Sequence, residues 1–232
     1  MKRSALVTGS SSGIGLSTTQ ALLDKGFKVY GLCRRADKVF SNNKNYIPLV
    51  FDLRKEYKLD LIDVDTIICN AGIGILGKLE ELSPKAIEDA VLVNFTSQVL
   101  LIKKLLSTLK KKQRADIVFI GSEAAFCGKR GGSIYCATKF AIRGFCQALR
   151  EECGTSGVKV SMVHPSMVDT EFYDTLTIKP KEGKNTSLNA LDVAKVILQI
   201  IESDDHIIFD EVVIKPKQYV IKKNPIQQLV KS

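Results

Sequence analysis

Short apolar runs of strand length alternate along the chain with stretches whose apolar positions recur at helical spacing. Ser4–Thr8 reads as a first strand and Gly13–Lys25 as a helix that stops at Gly26; strands follow over Lys28–Cys33, Tyr46–Phe51 and Asp65–Cys69. Ser83 ahead of Pro84 supplies an N-cap and a first-turn proline, opening a helix toward Asn94 and beyond. A strand over Asp116–Ile120, a helix over Ser133–Glu152 and a sixth strand over Val158–Val163, stopped by Pro165, come next. A last helix near Leu191–Glu202 and a strand near Glu211–Ile214 complete the pattern. This order predicts an α/β protein: a doubly wound parallel sheet of about seven strands with helices on both faces and ligands outside the carboxyl ends of the strands. Only Arg34–Asn45 and Asp52–Val64 connect strands two to three and three to four, so that flank of the sheet is expected to be thinly covered.

At 232 residues and 45% hydrophobic composition the chain is expected to form one domain, 1–232. Its apolar runs fall well short of the roughly 18 residues of a membrane span, and Ser4–Thr8 is too short for a signal-peptide core before Gly9 interrupts it. The expectation is a cytoplasmic protein without a membrane partner. Cys33, Cys69, Cys127, Cys136, Cys146 and Cys153 form neither a CxxC pair nor a metal pattern with histidine, and read as reduced, mostly buried thiols with no metal. The net charge of +9 raises a polyanion as partner, but the lysines are spread out, Lys110, Lys111 and Lys112 suit a helix end, and no aromatic run is interleaved with them. No nucleic-acid function is expected.

Directly after the first strand, Thr8-Gly9-Ser10-Ser11-Ser12-Gly13-Ile14-Gly15 is either a plain turn or a loop that brings bare N–H groups to a phosphate at a helix N-terminus; its place between strand and helix favours the phosphate loop. At the end of the second strand stand Arg34 and Arg35, where a carboxylate would contact an adenine ribose. Guanidinium groups bind phosphate bidentately, so NADP is favoured over NAD; the alternative is exposed surface charge. Tyr135 and Lys139 are spaced i, i+4, which puts an ammonium near a phenol on one helix face and is expected to lower the phenol pKa. Ser122, just after the fifth strand, reads either as a cap or as a hydroxyl that holds a substrate oxygen.

Together these pieces resemble the short-chain dehydrogenase/reductase family, from Ala5 to about Lys217. The family's TGxxxGxG is met by Thr8–Gly15, with cofactor contacts implied for Gly9, Ser11, Ser12, Gly13, Ile14 and Gly15; its acidic adenine contact by Asp52-Leu53; and its NAG turn by Asn70-Ala71-Gly72. Its active-site quartet maps onto Asn94, Ser122, Tyr135 and Lys139, while Val168 and Thr170 match positions that touch the nicotinamide amide. The resemblance implies a Rossmann-type fold, hydride transfer between NADP and a carbonyl or alcohol carbon, and Tyr135 as general acid or base. Lys139 would tune Tyr135 and hold the nicotinamide ribose, Ser122 would polarise the substrate oxygen, and Asn94 would hold a water or stabilise a helix irregularity. Pro165-Ser166 replaces the family's Pro-Gly turn, a departure that bears on the nicotinamide pocket or the loop's backbone angles.

The implied substrate is a small molecule covered by segment 171–189, whose Lys179, Lys181 and Lys184 either attract an anionic group or are simply solvated. The tail Asp210-Glu211-Val212-Val213-Ile214-Lys215-Pro216 is similar to that of a branch including hydroxy-acid and serine dehydrogenases, which makes a 3-hydroxy or 3-oxo acid a candidate. A homodimer or homotetramer is implied. The competing reading is a catalytically weak NADP-binding sensor or partner subunit. His164 beside Pro165 reads as structural rather than catalytic.

Overall fold

A computed structural model describes residues 3–34, 40–55, 62–180, 185–218 and 220–223. In chain order these form β1 (Ser4–Thr8), α1 (Gly13–Asp24), β2 (Lys28–Cys33), β3 (Tyr46–Val50), β4 (Thr66–Cys69), α2 (Pro84–Val91), α3 (Ser97–Leu109), β5 (Ala115–Ile120), α4 (Ser133–Cys153), β6 (Val158–Pro165), β7 (Val168–Asp169), β8 (Ile178–Pro180), β9 (Leu188–Asn189), α5 (Ala190–Glu202), β10 (Glu211–Ile214) and β11 (Ile221–Lys223). The elements match those expected from the sequence to within a residue or two, apart from the short strands after β6.

Seven strands build one parallel sheet in the order β10-β6-β5-β4-β1-β2-β3. Alternation along the strands feeds two cores. Ala5, Val7, Ile68, Val118 and Ile120 face Leu22 and Leu23 of α1 and Val193 and Ile197 of α5. Leu6, Ile67, Ile117 and Phe119 face Leu101 and Leu105 of α3 and Ile142 and Leu149 of α4. This is the Rossmann-type α/β fold with helices on both faces. Pro48 is tolerated in β3 because β3 is an edge strand and its missing N–H costs no ladder bond. The crossovers on either side of β3 contain no helix among the described residues, and Val50 is exposed there, so this flank is as thin as the short connections imply.

α2 begins as expected, with the Ser83 hydroxyl accepting from the Ala86 N–H and Pro84 in the first turn. It then widens into a π-turn over Leu92–Thr96 and runs on into α3. The continuous helix Pro84–Leu109 is long and apolar enough, by length and composition, to cross a membrane. Its apolar residues Leu101, Ile102, Leu105 and Leu109 are instead buried on the sheet. Five cysteines are buried and Cys127 is exposed; all six are free thiols.

The order of strand addition reverses between β1 and β4: β2 and β3 lie to one side, β5, β6 and β10 to the other. At such a switch point the loops leaving the two central strands diverge and open a crevice at their carboxyl ends.

Candidate active site

The two loops at the switch point are stitched together. Thr8 Oγ1 accepts from the N–H groups of Asn70 (3.0 Å) and Ala71 (2.9 Å), and Asn70 Nδ2 donates to the carbonyls of Thr8 (2.9 Å) and Gly9 (3.3 Å). Gly9 turns the chain with φ +71°, a left-handed conformation that favours glycine, and a Cβ there would stand 2.9 Å from Asn70 Nδ2. The chain then enters α1 through Ser12, whose side chain makes no capping bond, and the first turn holds no acidic residue. The N-terminus of α1 therefore presents N–H groups and the positive end of the helix dipole beside exposed Ser11 and Ser12, a donor set suited to a pyrophosphate. Thr170, beyond β7, lies against Gly13, and Val168 is buried beside it.

Arg34 is exposed at the end of β2. Asp52 sits beyond β3 with its carboxyl held down to about 2, mainly by hydrogen bonds from Arg54, one of them 2.7 Å long, with Arg34 adding a weaker attraction. Leu53 is buried behind it. Arg35 lies outside the described residues, as do Lys181 and Lys184.

On the other side of the switch point, Ser122 leaves β5 in extended conformation and caps a short 3-10 turn, its Oγ accepting from the Ala124 N–H at 3.1 Å. Its side chain lies close enough to Tyr135, near the start of α4, to pull the phenol pKa down. Lys139, one turn on, is buried; its Nζ donates to the Ile120 carbonyl at 3.0 Å and lies 5.7 Å from the Tyr135 ring centroid. Burial pushes the half-buried Tyr135 phenol up to about 12, against a lowering influence of the Ser122 side chain, and pushes the Lys139 ammonium down to about 8. The expected lowering of Tyr135 by Lys139 is thus not seen in the protein alone, because the phenol loses more by leaving water than its neighbours return.

Asn94 occupies the π-turn, fully buried. Its Oδ1 accepts from the Ile73 N–H (2.8 Å), and its Nδ2 donates to the Ile73 carbonyl (3.0 Å) and to Thr138 Oγ1 (3.2 Å). Gln98 donates to the carbonyls of Asn94 and Ala71. The amide thus locks the loop after Asn70-Ala71-Gly72 to α4 beside Lys139, and Gly72 fits closely against Asn94 and Lys139. Gln98, Thr138 and Ile73 were not singled out by the sequence; Gln98 stands one helical turn from Asn94, and Thr138 directly precedes Lys139.

Ser166, the departure from Pro-Gly, is not among the residues of positive φ, so its backbone needs no glycine. Its hydroxyl donates to Glu123 at 3.1 Å. Phe172, in segment 171–189, stacks 6.0 Å from Tyr135, and Phe172 and Leu176 lie against Gly74. Phe172 and Leu176 therefore pack on the loop from β4, with Phe172 also beside Tyr135.

The short chain dehydrogenase family profile matches residues 3–181. The chain belongs to the short chain dehydrogenase family. Among relatives in this family, it is 30% identical over 220 residues to 3-oxoacyl-[acyl-carrier-protein] reductase FabG of Haemophilus influenzae, covering 87% of this chain and 90% of the relative. It is 31% identical over 198 residues to the uncharacterized oxidoreductase YbbO of Escherichia coli K12, covering 79% and 74%. The structure of a serine dehydrogenase in its closed form with NADP+ superposes with a TM-score of 0.80 at 21% identity, covering 92% of this chain and 94% of that one. As a short chain dehydrogenase, the protein is an oxidoreductase acting between CH–OH and carbonyl groups.

Proposed function

We propose that this short chain dehydrogenase is an NADP-dependent carbonyl reductase or alcohol dehydrogenase of small molecules, with Tyr135 as its proton carrier. The observation that carries this reading is the meeting of Ser122, Tyr135 and Lys139 at the carboxyl end of β5, beside a glycine loop with an uncapped helix N-terminus. A nicotinamide dinucleotide supplies or accepts the hydride when bound. Residues Gly9, Ser11, Ser12, Gly13, Ile14 and Gly15 would hold its pyrophosphate, Asp52, Leu53 and Asn70-Ala71-Gly72 would line its adenine and ribose side, and Val168 and Thr170 would meet its amide. Arg34 supports NADP over NAD: it is an exposed guanidinium close enough to Asp52 to attract its carboxylate, with no acid beside it in β2.

In the reducing direction Ser122 donates a hydrogen bond to the substrate oxygen and Tyr135 passes its phenolic proton to the same oxygen as the carbon accepts hydride, giving the alcohol. Lys139, held by the Ile120 carbonyl, stabilises the phenolate left behind. A half-buried phenol with a pKa of about 12 holds its proton at neutral pH, which suits a general acid; the oxidising direction needs added positive charge nearby.

Segment 171–189 is proposed to cover the substrate, supported by the packing of Phe172 over Tyr135. A small 3-hydroxy or 3-oxo acid is the substrate class we favour, because one relative is named for a 3-oxoacyl group and one neighbour for serine, a 3-hydroxy acid. Exposed Leu100 on α3 and Phe140 on α4 support a homodimer or homotetramer through those helices.

The test is a titration with NADPH and NADH, followed by reduced-nicotinamide fluorescence, then a scan of hydroxy acids, alcohols, aldehydes and 3-oxo esters with Tyr135→Phe as control. Tighter binding of NADPH and turnover lost in Tyr135→Phe is the expected result. Binding without turnover on any compound would favour a sensor or partner subunit, and binding of neither nucleotide would overturn the proposal.

A further inference from the structure

His164, which the sequence offered only as a structural residue, ends β6 fully buried behind Ser122. Its Nδ1 lies 3.1 Å from the Ser122 carbonyl oxygen. A carbonyl only accepts, so Nδ1 carries a proton and donates it. The imidazole fits there because residue 121 is glycine: a Cβ at Gly121 would stand 2.5 Å from Nδ1. The opposite nitrogen, Nε2, has no hydrogen-bond partner and faces Glu211 Oε2 at 3.6 Å. Phe126 closes the ring in, 4.6 Å away.

Glu211 is fixed in turn by Arg143 (3.0 and 3.1 Å) and Gln147 (2.8 Å). Tyr135, Lys139, Arg143 and Gln147 are spaced four apart on α4, so they share one helix face. The upper half of that stripe holds the phenol and ammonium. The lower half holds Glu211, which faces the imidazole that holds Ser122. The path closes a circuit from the helix carrying Tyr135, through β10 and β6, back to the strand end carrying Ser122.

We infer that His164 is a positioning residue that sets the backbone of Ser122, and through it the distance between the Ser122 hydroxyl and Tyr135. The inference rests on the proposed role of Ser122. Loss of the Nδ1 donor lets the Ser122 turn relax, and misplacement on the ångström scale costs turnover while the cofactor loop, on the far side of the switch point, is untouched.

The chain has two histidines, His164 and His206, so imidazole nitrogen NMR resolves His164 without a substrate. A proton on Nδ1 is expected; a neutral ring protonated on Nε2 would overturn the inference. The kinetic arm uses NADPH with ethyl acetoacetate, and NADP+ with serine or 3-hydroxybutyrate, taking whichever is turned over. His164→Leu is expected to lower kcat about 10- to 100-fold, with NADPH affinity within about twofold, whereas His164→Asn, whose amide N–H replaces the donor, recovers most of the rate. In a Ser122→Ala background His164→Leu should add less than about a twofold loss, because both changes act on one group. Equal damage in the Leu and Asn variants, or losses that multiply in the double variant, would overturn the inference. Should Ser122→Ala alone leave turnover intact, the role of Ser122 itself falls and takes the inference with it. NADPH binding reports that each variant is folded; where His164→Leu is not, the tautomer read by NMR and the rate of His164→Asn carry the test, a ring protonated on Nε2 alone overturning the inference.

Discussion

The hydroxyls of Tyr46 and Ser10 lie 3.2 Å apart, both buried, across the bare face of Gly31. Tyr46 belongs to β3, an edge strand, yet its ring passes over β2 at the one position without a side chain and reaches the glycine loop. A methyl group at Gly31 would collide with that ring, so Gly31→Ala is expected to cost about 1–3 kcal/mol of stability, typical of an overpacked core. Tyr46→Phe, which leaves the Ser10 hydroxyl without this partner, should cost about 1 kcal/mol. Urea denaturation checks both, and NADPH titration should show weaker binding in the same order.

Lys139 carries a stability cost that its chemistry requires. Burial lowers its pKa to about 8, whereas an exposed lysine, as in the unfolded chain, titrates near about 10.4. Between these values the unfolded chain binds the proton that the folded one has released, so stability rises with pH through that window, and the cost is fully present below it. Lys139→Met should therefore raise stability at pH 7 by about 1–3 kcal/mol, an advantage that fades toward pH 10, while abolishing turnover. Tyr135 runs the opposite way: with its pKa raised to about 12 by burial, it makes the protein lose stability as pH climbs above the ordinary phenol range. Thermal melts of the wild type against Lys139→Met across pH 6–10 test the lysine sign, and of the wild type against Tyr135→Phe across about pH 9–12 the tyrosine sign.

Arg34→Glu places a carboxylate where the proposed phosphate contact stands. Charge-assisted hydrogen bonds of about 1.5–3 kcal/mol are lost and repulsion is added, so NADPH affinity should fall about 10- to 100-fold while NADH binding holds or improves. Competitive titration of the two nucleotides gives the ratio; an unchanged ratio would assign Arg34 to the surface.

Asn94→Ala would remove the side-chain partner of the half-buried Ile73 N–H and carbonyl and leave the Thr138 hydroxyl only its bond to the Tyr135 carbonyl. The expected loss is about 2–4 kcal/mol, seen as a lower denaturation midpoint. Asn94→Asp keeps the acceptor for the Ile73 N–H but turns the donor into a second acceptor facing a carbonyl, and should destabilise less at low pH, where the acid is protonated, than at pH 7.

What the sequence revealed followed from local rules. The short apolar strand runs, the Ser83-Pro84 start of α2 and the Tyr135–Lys139 spacing are each decided within a few residues, and the structure has them in place. Less legible were features made by long-range packing. The π-turn at Leu92–Thr96 has no residue signature, since its extra carbonyl is satisfied by Gln98 and its amide by a loop twenty residues earlier. The pKa of Tyr135 followed burial, which the i, i+4 spacing does not encode. His164 and Tyr46 read as ordinary core residues because their partners, Ser122 and Ser10, lie 42 and 36 positions away.

β8, inside segment 171–189, pairs antiparallel with β11, so that Ile178 meets Lys223 and Pro180 meets Ile221. The Gln218 N–H, just before β11, donates to the Asn185 carbonyl at 2.9 Å. This ladder ties β8 of the proposed cover to the C-terminal strand, so that neither can move apart from the other without breaking it. Amides of β8 and β11 should then exchange with solvent at a common rate, and a change near residue 221 should loosen the proposed cover some forty residues upstream.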